Sequence, residues 1–262
     1  MAFPQQKAAF TEPVGRTGGA VEVERSCRFE DGECRHLLLW RAGPGWRMLS
    51  SAVLGGGLGE REWVVNAQVR PGCGRMDPDR HLAGLATGLG LSGPGAGLMT
   101  AARVDDFTWA CDGGVTAVVT TGIGVPAWAA APDPAAEAGA GFPGTINILV
   151  VVPAAVSDAG LVNLLATATE AKVQALVEAG YDCSGTPSDA VCVAVRRAGP
   201  GQVPEPFGGP RSRWGARAAR AVHEAVTLGA ERDRTGRARG AVPGHARSTP
   251  ECARTFVLSG AR

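Results

Sequence analysis

The sequence predicts an α+β protein, a single domain with a mixed, largely antiparallel sheet and helices packed on it. Three observations lead there. β-Branched runs in the first half come in pairs around short glycine turns. The second half alternates strand, helix, strand, helix. The two halves together do not give the regular alternation of a doubly wound sheet.

In chain order, residues 20–29 and 35–42 read as strands around Glu30-Asp31-Gly32. Residues 46–54 and 62–69 read as two more, joined by Gly55-Gly56-Gly57-Leu58-Gly59. A helix follows over 78–89, with Asp77 as N-cap, Pro78 at its first position and a Leu82/Leu85/Leu89 stripe. Short strands are expected over 97–102, 107–111 and 115–122, the last two linked by Asp112-Gly113-Gly114. Residues 132–142 form an Ala/Pro/Gly loop, and 146–152 an apolar run suited to a central strand. Ser157 or Asp158 caps a long helix through Ala179, ended by Gly180. Residues 189–196 read as a strand and 211–228 as a final helix. Residues 1–19 read as a flexible leader, 20–230 as the domain, and 231–262 as an Arg-rich disordered tail.

Hydrophobic residues are 45% and charged residues 19% of the 262, enough apolar surface for a sizeable core. The formal net charge of +1 argues against a nucleic-acid binder. The longest apolar run, 148–156, contains Pro153 and falls far short of the ~20 residues that span a bilayer, so no membrane span is expected. With no export signal at the N-terminus, a cytoplasmic protein is expected. The cysteines, Cys27, Cys34, Cys73, Cys111, Cys183, Cys192 and Cys252, form no C-x-x-C pair, and no His lies at zinc-ligand spacing from them. They read as reduced thiols, and no metal site is expected.

Lys172 and Lys7 are the only lysines. At ~100° per residue Lys172 falls within the apolar face made by Leu161, Leu164, Leu165, Ala168, Ala175 and Leu176. Such a lysine either pairs with a structural carboxylate or acts, desolvated, on an anionic or carbonyl group. Thr145 and Asn147 open the central strand two residues apart and so share a face. They offer a nucleophilic hydroxyl and an oxyanion-stabilising amide, or are ordinary turn residues. His81, beside the leucine stripe of its helix, is either packed or a general acid/base. The loop Asp182, Ser184, Thr186, Ser188, Asp189 caps and turns the chain or faces a site. Gly93-Pro94-Gly95-Ala96-Gly97 matches neither a dinucleotide fingerprint nor a P-loop; it makes tight turns or lets a bulky ligand approach. Arg211-Ser212-Arg213-Trp214 sets guanidiniums and an indole at a helix start, a salt-bridged surface or a site for an amide-rich ligand.

Taken in order, several segments resemble the adenosylcobinamide amidohydrolase family of corrinoid salvage. They include Ser50-Ser51-Ala52-Val53-Leu54-Gly55-Gly56-Gly57, Val65-Asn66-Ala67-Gln68-Val69, Asp77-Pro78-Asp79-Arg80-His81-Leu82 and Gly93-Pro94-Gly95-Ala96-Gly97-Leu98-Met99-Thr100-Ala101. Pro126-Ala127-Trp128-Ala129-Ala130, Pro143-Gly144-Thr145-Ile146-Asn147-Ile148, Ala168-Thr169-Glu170-Ala171-Lys172, Gly185-Thr186-Pro187-Ser188-Asp189-Ala190-Val191 and Gly208-Gly209-Pro210-Arg211-Ser212 continue the set. The resemblance implies hydrolysis of the amide joining the corrin propionate to aminopropanol, giving adenosylcobyric acid and 1-amino-2-propanol. It implies a corrinoid as the small-molecule partner and no cofactor, the cobalt belonging to the substrate. A non-catalytic corrinoid carrier or sensor, and an amidase of another substrate, are the alternatives.

Chemistry then assigns expected roles. Thr145, or a water held by Asp112 or His81, attacks; Asn147, Lys172 or glycine-turn N–H groups stabilise the oxyanion. A variant has the chain cut before Thr145, freeing an α-amine as base. Gly95, Gly97, Trp128, Asp189, Arg211 and Trp214 are the expected substrate-binding set.

Overall fold

The structure, a computed structural model, describes residues 21–131, 144–238 and 253–259. Among the described residues, eleven strands form two sheets. The first sheet is ordered β11 (Ala253–Leu258), β1 (Val21–Glu30), β2 (Glu33–Arg41), β5 (Trp63–Gln68), β6 (Gly95–Thr100). The second is ordered β4 (Gly57–Glu60), β3 (Trp46–Ser50), β10 (Ala190–Arg196), β9 (Thr145–Ala155), β8 (Val115–Gly122), β7 (Thr108–Asp112). Each sheet has one parallel pair, β5 with β6 and β9 with β10, and is otherwise antiparallel. The α+β class therefore stands, with the strands divided between two mixed sheets.

Period-2 burial explains the division. On β9, Ile146, Ile148, Val150 and Val152 pack with Leu161, Leu164 and Ala168 of α2 (Asp158–Glu178) and with Ala218, Ala221 and Ala225 of α3 (Arg213–Ala238). Leu149 and Val151 on the opposite face meet Val23, Leu38, Val64 and Leu98 of the first sheet. The outer face of that sheet, Leu37, Leu39 and Val65, receives Leu82 and Ala86 of α1 (Pro78–Gly88). A strand apolar on both faces must be covered on both. The result is four layers: α1, first sheet, second sheet, α2 with α3.

Helix ends follow local chemistry. Ser157 Oγ accepts the Gly160 N–H at 3.1 Å to cap α2, and Gly180, at φ +83°, ends it in a conformation costly for a residue with a Cβ. The expectation of a structureless tail from 231 is corrected in two places. α3 continues to Ala238, and Ala253–Leu258 adds β11 to the free edge of β1. The reason is burial: Leu258 enters the inter-sheet core and Phe256 stacks edge-on against Phe107 at 5.1 Å. The expected loop at 132–142 lies outside the described residues.

Candidate active site

The parallel pair β9–β10 starts at one end of the sandwich, and the chemistry gathers there. Lys172 reaches from the buried face of α2 to the residue before β10, placing Nζ 2.5 Å from Asp189 Oδ2. Both side chains are largely buried, at 8% and 11% exposure, and a charge so withdrawn from water needs this partner. Asp189 is held by more than the ammonium. Its Oδ1 accepts the Ile146 N–H at 2.9 Å and the Thr186 hydroxyl at 2.6 Å, and its Oδ2 accepts the Thr186 N–H at 3.1 Å. The carboxylate thus ties α2, the 185–189 loop and the start of β9 together.

Thr145 is the first residue of that strand, with Oγ1 2.7 Å from Ser188 Oγ. The carbonyl of Gly144, one residue earlier, accepts the Ser188 hydroxyl at 2.9 Å and lies 2.8 Å from Thr186 Oγ1, whose single proton it shares with Asp189. Gly144 fits only without a Cβ, which would overlap the Gly122 carbonyl. Gly144 also lines a hollow of about 490 Å³, walled by Arg103, Asp106, Thr121, Arg232 and Asp233. A hydroxyl, a carboxylate and an ammonium therefore stand behind one lip of a cavity of small-ligand size. Trp128, 46% exposed, joins the same end, because Ala127 N–H donates to Gly185 O at 2.9 Å and Ser184 N–H to Ala127 O at 3.0 Å.

Asn147 lies one pleat deeper, between the sheets. Its Nδ2 donates to Asn66 Oδ1 at 2.9 Å and to Met99 O at 2.8 Å, and Asn66 Nδ2 donates to Thr120 Oγ1 at 2.9 Å. Both amide hydrogens of Asn147 are thus committed to the protein, and the residue is 1% exposed. That geometry fastens β9 to β5 and β6 and gives no donor to the hollow.

Other expected residues lie apart. Asp112 sits at the far end of β7, where both its carboxylate oxygens take the Arg220 guanidinium. Val115, opposite Asp112, and Gly122, opposite Thr145, are separated by the length of β8, about 24 Å at ~3.4 Å per residue. A water held by Asp112 is therefore not delivered to Thr145. Arg211 and Trp214 precede or open α3 near that same end, where Arg217 and Arg213 lie over the indole, each 5.0 Å from its centroid. Gly95 and Gly97 are buried at the start of β6: a Cβ on Gly95 would fall inside the Trp63 ring, and one on Gly97 would crowd Leu54 and Leu82. Their small size admits protein, so the close ligand approach expected of them is corrected to internal packing. His81 sits on α1, with Nε2 3.4 Å from Glu30 Oε1. Burial pushes its imidazole below the ordinary value against the opposing pull of Glu30.

Thr186 and Ser188 of the polar loop bond at this end of the sandwich, and Asn66, bonded to Asn147 and Thr120, is the neighbour that sequence reasoning leaves without a role. Asn66 had a signal: it is the polar residue in the otherwise apolar start of β5, Trp63-Val64-Val65.

A hydroxyl beside a buried ion pair, one residue from a hollow at the end of a two-sheet sandwich, is an arrangement compatible with a hydrolase. The chain belongs to the adenosylcobinamide amidohydrolase (CbiZ) family, whose model matches residues 21–238. It is 31% identical to the adenosylcobinamide amidohydrolase of Methanosarcina mazei over 187 residues, 69% of this chain and 88% of that protein. It is 42% identical to the adenosylcobinamide amidohydrolase of Halobacterium salinarum over 85 residues, 32% of this chain and 35% of that protein. The L-aminopeptidase D-Ala-esterase/amidase of Ochrobactrum anthropi, described as a variant of the Ntn hydrolase fold, superposes with a TM-score of 0.43 at 13% identity, over 83% of this chain and 88% of its own. No described helix is long and apolar enough to cross a membrane.

Proposed function

We propose that this amidohydrolase cleaves the amide between the corrin propionate and the aminopropanol of adenosylcobinamide, releasing adenosylcobyric acid and 1-amino-2-propanol for corrinoid salvage. The observation that supports it is the Thr145 hydroxyl, bonded to Ser188 directly behind Gly144, which lines the hollow, with the next residue of the strand anchored by Asp189 and its partner Lys172. The hollow is smaller than a whole corrinoid, so it takes the amide-bearing arm while the ring rests outside. Thr145 Oγ attacks the carbonyl carbon. Its proton leaves through Ser188 and reaches the departing nitrogen as the C–N bond breaks. Water then hydrolyses the ester on Thr145, returning the hydroxyl and releasing the carboxylate. The cobalt arrives and leaves with the substrate.

The test is incubation with adenosylcobinamide and chromatography of the corrinoid. Adenosylcobyric acid with one equivalent of aminopropanol is expected, and Thr145→Ala should lower turnover at least a hundredfold while Thr145→Ser keeps part of it. Corrinoid that binds and returns unchanged would make the protein a carrier or sensor. No corrinoid binding, read as an unmoved thermal midpoint, would make it an amidase of another substrate.

One observation favours a second form of the same chemistry. The Gly144 carbonyl, beside the Thr145 hydroxyl, accepts the Ser188 hydroxyl and lies within reach of that of Thr186, and such donors would stabilise negative charge on its oxygen. In this reading Thr145 Oγ attacks Gly144 C, the peptide C–N bond breaks as nitrogen takes the hydroxyl proton, and water hydrolyses the resulting ester. The products are a Gly144 carboxylate and a free Thr145 α-amine, whose ordinary pKa of roughly 7.7–8.0 suits a general base. The intact mass of the purified protein decides it: two fragments support processing, and one uncut, active chain excludes it.

A further inference from the structure

Three donor side chains that sequence spacing leaves unconnected are brought together by the β1–β2 register. Cys27 pairs directly with His36, and Phe29 with Cys34, so Cys27, Cys34 and His36 share one face of the hairpin. Their ligand atoms all lie within 4.8 Å of one another. In a tetrahedral zinc site, with Zn–S about 2.3 Å and Zn–N about 2.0–2.1 Å, donor atoms sit about 3.5–3.8 Å apart. Closing the difference needs about 1 Å of movement, within reach of χ1 adjustments of part-exposed side chains.

The surroundings are organised for a ligand histidine. His36 Nδ1 lies 2.7 Å from Asp105 Oδ1, while Nε2 faces Cys34 Sγ at 3.9 Å. A carboxylate that accepts from Nδ1–H leaves the Nε2 lone pair free and fixes the ring plane, as outer carboxylates do for metal-bound imidazoles. Arg25 Nη1 stands 3.7 Å from the same Asp105 oxygen, which restrains it further. The turn that carries Asp105 also supplies Asp106 to the wall of the hollow, as does the preceding Arg103.

We propose that Cys27 Sγ, Cys34 Sγ and His36 Nε2 bind one thiophilic divalent cation of the zinc class, with Asp105 as a positioning residue for His36. Two thiol protons are released on binding, so the thiolates neutralise the charge of the ion. Three protein ligands leave a fourth position for water or an incoming donor. The site is separate from the Thr145 chemistry and stands or falls independently of it.

The experiment uses the full chain, reduced, stripped of metal and free of corrinoid. Zinc is titrated against a chromophoric chelator, and cobalt(II) serves as the spectroscopic probe. One equivalent of either ion is expected, with thiolate-to-cobalt charge-transfer absorption and the visible bands of tetrahedral cobalt. Zinc should raise the thermal midpoint. Cys34→Ser should weaken binding at least tenfold and diminish the charge-transfer band. Asp105→Asn should weaken it roughly 10–100-fold with that band retained, because the thiolates remain. Cys73→Ser, an exposed cysteine outside the cluster, should change nothing. Thermal melts without metal verify that each variant is folded. Absence of the charge-transfer band in the wild type, equal affinity in folded Cys34→Ser, or loss of two titratable thiols to a Cys27–Cys34 disulfide in place of metal binding would each overturn the proposal.

Discussion

Asp189 binds Lys172 Nζ through one carboxylate oxygen at 2.5 Å and the Ile146 N–H through the other at 2.9 Å, so a helix lysine and the first turn of a central strand share one anchor. Sequence periodicity alone leaves Lys172 either paired or reactive; the geometry shows the pairing with a buried carboxylate.

Lys172→Met should therefore cost both stability and turnover. Removing the ammonium strands a buried carboxylate, which typically costs about 3–5 kcal/mol. Three remaining donors to Asp189 favour the low end, about 3 kcal/mol. Urea unfolding would read this, and Lys172→Met with Asp189→Asn together should recover part of the loss. A single variant as stable as wild type would mean that the pair is not a buried charge in solution.

Asn147→Ala should act first on stability. It removes the donor from Asn66 Oδ1 and Met99 O between the sheets, a cost of about 1–3 kcal/mol. Its turnover, compared per folded molecule, should fall far less than that of Thr145→Ala. Unchanged stability with a hundredfold drop in kcat would return the amide to an oxyanion role.

What could be read from the chain follows from the range of the forces involved. Lys172 on its apolar face, the Ser157 cap and the Thr145/Asn147 shared face depend on local periodicity, and the structure has all three. Partners set by strand register were not legible: nothing in the spacing of Cys27 and His36, or of Asn66 and Asn147, says that they face each other. Asp112 was misplaced for the same reason, since hairpin and helix patterns do not reveal which end of the sandwich a turn occupies. The tail shows a different failure. Arginine-rich composition outweighed the short β-rich run Thr255-Phe256-Val257-Leu258, whose burial depends on the free edge of β1.

Gly95→Ala separates packing from ligand approach. The added methyl would overlap the Trp63 ring, itself held by an indole N–H donated to Gly93 O at 3.2 Å, so the ring has little room to yield. Overpacking of this kind typically costs about 1–3 kcal/mol. The thermal midpoint should drop while corrinoid affinity of the folded protein stays level. Normal stability with weakened corrinoid binding would place the ligand, not the indole, against Gly95.

His81 gives a pH dependence with a definite sign. Burial lowers the imidazole pKa in the folded protein, so the unfolded chain takes up the proton first as the solution is acidified. The full contribution to stability is present above the unfolded value of about 6.5 and is lost as pH falls from there toward the lower folded value. Glu30, 3.4 Å away, and Asp77 oppose the shift, whereas Arg75 and Arg28 reinforce it, so the slope should be shallow. His36, also lowered chiefly by burial, adds in the same direction despite Asp105. Urea midpoints at pH 7.5 and 5.5 should thus differ less in His81→Gln than in the wild type. A larger difference in the variant would mean that the Glu30 contact dominates and that His81 is charged in the native protein.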